Sequence, residues 1–293
     1  MWRWDQGRLS YFQFDNLRAM ARLALAHDWK AVEKSVAVAE TGLRFLPDKP
    51  GYERPWRNYS RTLKRGLIVY DDGSKAVPTP VAELLAGDGL VTADEYFHFV
   101  ARTFTDPSPA LQGWDPETRR RYPLVFALRY GLTKLAEEGV AEVALDEVLR
   151  AYSQSELLGD EEYSRYAAVV SSGQDTEVTS PAFDPRQARE SLKAISQISY
   201  LHYDGQALAF SLDTRDAKHV FDQLHPINGI PEENPDMELL RLATLCPTCH
   251  RAVHRYYDAW LRDECRSDFE SMGQAREVYG VAKTQIAEAV HAQ

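Results

Sequence analysis

Apolar residues recur at helical spacing across residues 14–27. Leu17, Met20, Ala21, Ala24 and Leu25 fall on one side behind Asp15, a candidate cap. Residues 28–42 predict a second helix that stops near Gly42, and 43–56 form a connector rich in Pro and Gly. A third helix begins at Trp56, with Tyr59, Leu63 and Leu67 roughly on one face, and the pattern turns strand-like by Tyr70. Asp72-Gly73 then marks a hairpin, with a return strand near residues 75–77. Thr79-Pro80 is a helix start of the usual kind. Residues 92–104, 119–139, 143–153 and 161–170 predict further helices, the second ending at Gly139. Residues 171–185, rich in Ser, Thr, Asp and Pro, predict a linker. Residues 189–212 repeat the order helix, strand, Asp204-Gly205 turn, strand.

The order helix, helix, helix, hairpin, helix over residues 1–91 resembles a winged-helix domain. Its third helix would carry Arg57, Arg61, Lys64 and Arg65, the candidate DNA-binding residues, because in helix-turn-helix proteins that helix enters the major groove. Its wing tip would be Asp71-Asp72-Gly73-Ser74. Such acidity also suits a winged helix that docks protein instead of DNA. If residues 189–212 belong to a second winged helix, the next helix spans 214–224 and His225 stands at its end.

Charge sharpens this picture. The 293-residue chain has a formal net charge of −10, which excludes coating nucleic acid by bulk charge. Residues 1–65 nevertheless hold 13 Lys/Arg against 7 Asp/Glu, a local +6, leaving −16 for the rest. With 44% hydrophobic residues a packed core is expected. No signal peptide and no membrane span is evident. Three cysteines are too few and odd in number for a secreted disulfide framework, so a cytoplasmic protein is expected.

Two of those cysteines sit in Leu-Cys246-Pro-Thr-Cys249-His250-Arg251-Ala-Val-His254. Two thiolates of a CxxC turn reach one tetrahedral centre, and His250 and His254 share a helix face at a spacing of four. This segment resembles the C-terminal half of HNH endonucleases, the ββα-metal nucleases. The candidate upstream histidine, His225 in His-Pro-Ile, stands 21 positions before Cys246, with the loop-like residues 228–240 between. The resemblance implies His225 as general base, His254 as a ligand of the catalytic ion, His250 as ligand or orienting residue, and Arg251 against the scissile strand. The ion would be Mg2+, Mn2+ or Ni2+. Cys246 and Cys249 offer half of a structural Zn2+ site. The sequence departs from the family in having one upstream His and no cysteine before Cys246.

The expectation is an α+β protein, mainly α with small β hairpins. Residues 1–91 would be a winged-helix-like DNA- or partner-binding domain and 92–170 a helical middle. A linker at 171–185 would lead to an HNH-like nuclease domain with closing helices at 186–293. The expected function is metal-dependent cleavage of DNA phosphodiester bonds in restriction or antiviral defence. A homodimer or other defence-complex subunits are candidate partners, and no membrane is. The alternative is a non-catalytic winged-helix regulator, or a defence-complex subunit, with a structural zinc site.

Overall fold

The computed structural model describes residues 12–106, 121–173 and 185–227, together with Trp260, Glu264, Gln274, Val278 and Val281. Residues Met1–Asn228 form one compact unit and Gly229–Gln293 a second. The fold is mixed α and β, with two small antiparallel sheets among the described residues.

The first module follows the predicted order: α1 (Phe14–Ala26), α2 (Lys34–Thr41), α3 (Trp56–Arg65), β1 (Val69–Asp71), β2 (Ala76–Pro78) and α4 (Pro80–Ala86). Helix α1 buries Leu17, Met20, Ala21, Leu23 and Ala24 and leaves Leu25 exposed, so the apolar stripe lies one step from the predicted one. Gly42 closes α2 at φ 68°, a left-handed cap that favours glycine. Trp29, Phe45 and Tyr59 pack edge to face, with centroids 5.8 and 4.9 Å apart. Each such pair adds about 0.5–1.5 kcal/mol beyond its burial. The Tyr59 hydroxyl accepts the Leu46 N–H at 2.9 Å, fixing the connector on α3. Thr79 does not cap α4. Its hydroxyl donates to the Leu67 and Ile68 carbonyls, fastening the second wing strand to the first.

Helix α5 (Ala93–Thr103) starts with a capping box, in which the Glu95 N–H donates to Thr92 Oγ1 and the Thr92 N–H to Glu95 Oε2. It buries Tyr96, Phe97, Phe99 and Val100. Tyr96 donates to the Gly66 carbonyl at 2.8 Å, so α5 grips the end of α3.

The second module begins with α6 (Pro123–Glu138), then β3 (Glu142–Ala144), α7 (Leu145–Gln154), α8 (Tyr163–Ser171), α9 (Pro185–Ile195), β4 (Leu201–Asp204), β5 (Ala209–Leu212) and α10 (Ala217–Gln223). Strand β5 lies between β3 and β4, all antiparallel. Helix, strand, helices and hairpin in that sheet order form a second winged-helix arrangement. Strand β3, before residues 171–185, pairs with β5, after them. Residues 174–184 of the expected linker lie outside the described residues, and the division into compact units falls after Asn228. Gly131 lets α6 approach the sheet, since a Cβ there would stand 2.8 Å from Leu212 Cδ1 and 3.1 Å from the Phe210 ring.

Candidate nucleic-acid interface

Helix α3 turns Tyr59, Thr62 and Leu63 inward, which sends Arg57 and Arg61 into solvent and leaves Lys64 half-buried. These three stand at i, i+4 and i+7, on one outward face. Arg65 corrects the prediction. It is buried, with its guanidinium 4.7 Å from the centre of the Phe104 ring. An arginine stem buries readily when an aromatic face receives its planar head, so Arg65 holds the module together and is not on the surface.

One of the two acids of the wing tip is ion-paired. Lys30 donates to Asp71 and, at 2.8 Å, to the Gly73 carbonyl. Partial burial alone would raise the Asp71 carboxyl, but Lys30 and the Gly73 N–H outweigh it and hold the group below its ordinary range. Asp72 accepts the Lys75 and Ser74 N–H groups, which depress it as well. Lys30 thus offsets the charge of Asp71, whereas Asp72, held ionised by neutral donors at the tip, keeps its negative charge in solvent.

A feature missed at the sequence level is the outer face of α9. Ala188, Ser191, Leu192 and Ile195 are buried, whereas Arg186, Arg189 and Lys193 are exposed. Glu190 pairs with Arg186 at 2.8 Å. Spacings of three and four between these basic residues are visible in the sequence, directly after the linker-like residues 171–185. The neighbouring wing is the β4–β5 turn, where Asp204 accepts the Gln206 and Ala207 N–H groups and Leu208 is exposed at φ 50°.

The two modules are tied directly. Gln197, just after α9, accepts the Phe14 N–H at 3.0 Å and donates to the Phe12 carbonyl at 3.1 Å. Asp94 at the start of α5 accepts the Ser199 N–H at 2.6 Å, and His98 packs on the Tyr200 ring. Helices α3 and α9 are therefore carried on one frame.

His225 stands outside any strand, contrary to the hairpin expected from the HNH resemblance. It follows α10, which Asp216 caps through the His219 N–H. Phe221 anchors that helix edge to face on Tyr163 and Tyr166. Arg129, almost wholly buried in α6, donates to the Gly159 and Glu161 carbonyls and to His225 Nδ1 at 3.0 Å. Its guanidinium lies 4.5 Å from the Phe221 ring centre. The Arg102 guanidinium donates to the His225 carbonyl at 2.7 Å, and the Arg102 backbone carbonyl accepts the Ile227 N–H at 3.0 Å. An arginine only donates, so His225 is neutral with its proton on Nε2, and the Nδ1 lone pair is already used. Burial lowers the His225 pKa, and Arg129 and Arg102 lower it further, against a smaller opposing effect of Asp222. In this arrangement His225 anchors the chain at the end of the first unit.

Cys246, Cys249, His250, Arg251 and His254 lie outside the described residues. Among the described residues no group of three metal-ligating side chains forms, and no helix is long and apolar enough to cross a membrane.

No protein-family profile and no curated protein matches the chain. Among solved structures it resembles the BpuJ1 endonuclease binding domain, crystallised in complex with pyrene- and phenanthrene-modified DNA. The TM-score is 0.51 at 13% identity, covering 83% of this chain and 94% of that one. The likeness is one of fold.

Proposed function

We propose that the protein recognises DNA through two winged-helix modules and belongs to a restriction or anti-phage defence system. The carrying observation is that both modules turn outward the basic helix that precedes their hairpin, α3 with Arg57, Arg61 and Lys64 and α9 with Arg186, Arg189 and Lys193, in a chain of net charge −10. Cations concentrated on two helices, with acids elsewhere, give a local site and little bulk attraction. The related fold of an endonuclease binding domain solved with DNA supports the same reading.

We further propose that the segment Cys246 to His254 is a metal-dependent nuclease element. Its two thiols and two imidazoles suit Zn2+ or Ni2+, and the imidazoles with water suit Mn2+ or Mg2+ as well. A bound ion would stabilise charge developing on a phosphate. Binding of duplex DNA across salt concentrations, together with plasmid nicking in Mg2+, Mn2+ and Ni2+, tests both parts. Saturable binding that weakens with salt is expected, with nicking lost in His254→Ala. No binding at low ionic strength sinks the first part, and no nicking in any metal sinks the second.

A second reading keeps DNA recognition and makes the Cys/His segment a structural zinc site. It is favoured by His225, whose Nδ1 accepts from Arg129. It predicts bound zinc, unfolding of the second unit by chelator, and no cleavage.

A further inference from the structure

Helix α5 bridges the two modules and meets them at equivalent points. In each module a basic helix passes through a short turn into a wing: α3 through Gly66 to β1, and α9 through Ser199 to β4. The buried Tyr96 hydroxyl donates to the Gly66 carbonyl at 2.8 Å. The Asp94 carboxylate accepts the Ser199 N–H at 2.6 Å. Two side chains of the first turn of α5 therefore hold both helix-to-wing turns. Side-chain and backbone dimensions then place Gly66 and Ser199 within about 25 Å of each other, less than the roughly 34 Å of one duplex turn. Two further contacts close the same joint. His98 packs edge-on against Tyr200, with ring centroids 5.3 Å apart. The Gln197 side-chain amide accepts the Phe14 N–H at 3.0 Å and donates to the Phe12 carbonyl at 3.1 Å, so the chain entering α1 is fixed to the turn after α9. Modules joined by chain alone move relative to one another by default, and these contacts oppose that motion.

We propose that Asp94, Tyr96 and Gln197 act as a ruler that fixes the separation of α3 and α9, so that the protein reads one DNA site whose two contacted segments stand at one invariant spacing. The ruler rests on the DNA-recognition reading and deepens it. The three are positioning residues, because their polar atoms are used on the backbone of the joint. Flexibly tethered modules adapt to a longer gap in the duplex, whereas a rigid pair fits one spacing, as dimeric readers fit one half-site separation.

The test uses the full chain and a duplex selected from a randomised pool. Base positions whose preference is lost in Arg57→Ala/Arg61→Ala mark the segment read by α3, and those lost in Arg186→Ala/Arg189→Ala mark the segment read by α9. One base pair is then inserted between the segments, and the readout is the ratio of affinities for the original and the lengthened site. The wild type should lose about tenfold or more on the insertion, and Asp94→Ala/Gln197→Ala less than about threefold. Tyr96→Phe, which removes one hydroxyl bond and keeps the ring, should fall between them. The ratio does not depend on the fraction of protein that is folded, so a variant that is merely destabilised keeps the wild-type value. A wild type that tolerates the insertion overturns the ruler, and so does a double variant as strict as the wild type. If the wild type binds no duplex, or shows no two such segments, the reading by two modules fails separately. The ruler is then decided by residual dipolar couplings. The amides of α1–α4 and of α6–α9 should share one alignment in the wild type and adopt two in Asp94→Ala/Gln197→Ala. Two alignments in the wild type, or one in both proteins, overturn it.

Discussion

Arg129 is the most deeply buried charge among the described residues. Its two terminal nitrogens donate to the Gly159 and Glu161 carbonyls and to His225, while its buried Nε–H has no hydrogen-bond acceptor among the described residues. Arg129→Met would remove the donor that these three acceptors share. We expect a loss of roughly 2–4 kcal/mol in urea unfolding. The same contact makes a pH prediction. The folded state holds the His225 pKa below its ordinary 6.5, as burial and two arginines disfavour the imidazolium. Burial depresses His98 too, with Asp94 opposing and Arg102 adding to the effect. Below pH 6.5 the unfolded chain binds more protons at these sites than the folded chain does. Their stabilisation is complete above that pH and is lost as pH falls toward the folded values. The thermal midpoint should decline between pH 6.5 and 5, and His225→Gln should flatten part of that decline; an equal decline in the variant would free His225 of this role. At this scale the sequence was only partly legible. Five basic residues near α3 look alike in sequence, yet Arg65 stacks on Phe104 and Arg57 on Tyr52, and those partners lie 39 positions downstream and 5 upstream.

Local elements were the more legible where a local cause shapes them. The Thr92–Glu95 box, the glycine stops at Gly42 and Gly139, and Pro at the start of α4 all act within a few residues. Thr92→Ala should cost about 1 kcal/mol in denaturant unfolding, as an N-cap loss does; a change near zero would show that packing of Tyr96 and Phe97 alone fixes α5. Strand β3 was not legible, because three residues announce no period and its partner β5 lies some 65 positions later. That pairing is what makes residues 123–212 a single module. Gly131 reports the same contact from the helix side. Gly131→Val would press against the buried Leu212 and Phe210 side chains and should destabilise by about 1–3 kcal/mol despite removing a helical glycine. On the exposed side of α9, replacing Arg186, Arg189 and Lys193 together by Ala should leave stability within about 0.5 kcal/mol, because surface positions carry little. The proposed function requires the same triple variant to weaken duplex binding and lower its salt slope; unchanged binding would confine recognition to α3.

At the scale of the whole chain, recognition and chemistry are proposed for different units, and they should separate experimentally. The first unit carries both winged-helix modules on one frame, tied through α5 and Gln197. Its basic helices are the part that a charge count over the full chain conceals. The Cys/His segment belongs to the unit from Gly229 onward. The proposed nuclease element is therefore confined to Cys246 to His254, while His225 is engaged within the first unit by Arg102 and Arg129. Variants should divide along this line. Cys246→Ser with Cys249→Ser should lower bound metal, measured by elemental analysis, and leave the duplex affinity of the full chain within about twofold, a margin of about 0.4 kcal/mol. The α3 and α9 variants should do the reverse. His254→Ala decides between the two proposed roles of the segment. If the ion is catalytic, nicking is lost while the thermal midpoint of the first unit is kept. If it is structural, metal content and the folding of the second unit fall together, with no nicking in the wild type to lose. A variant that abolishes DNA binding and metal binding at once would mean that the two units fold as one, and would overturn the division itself.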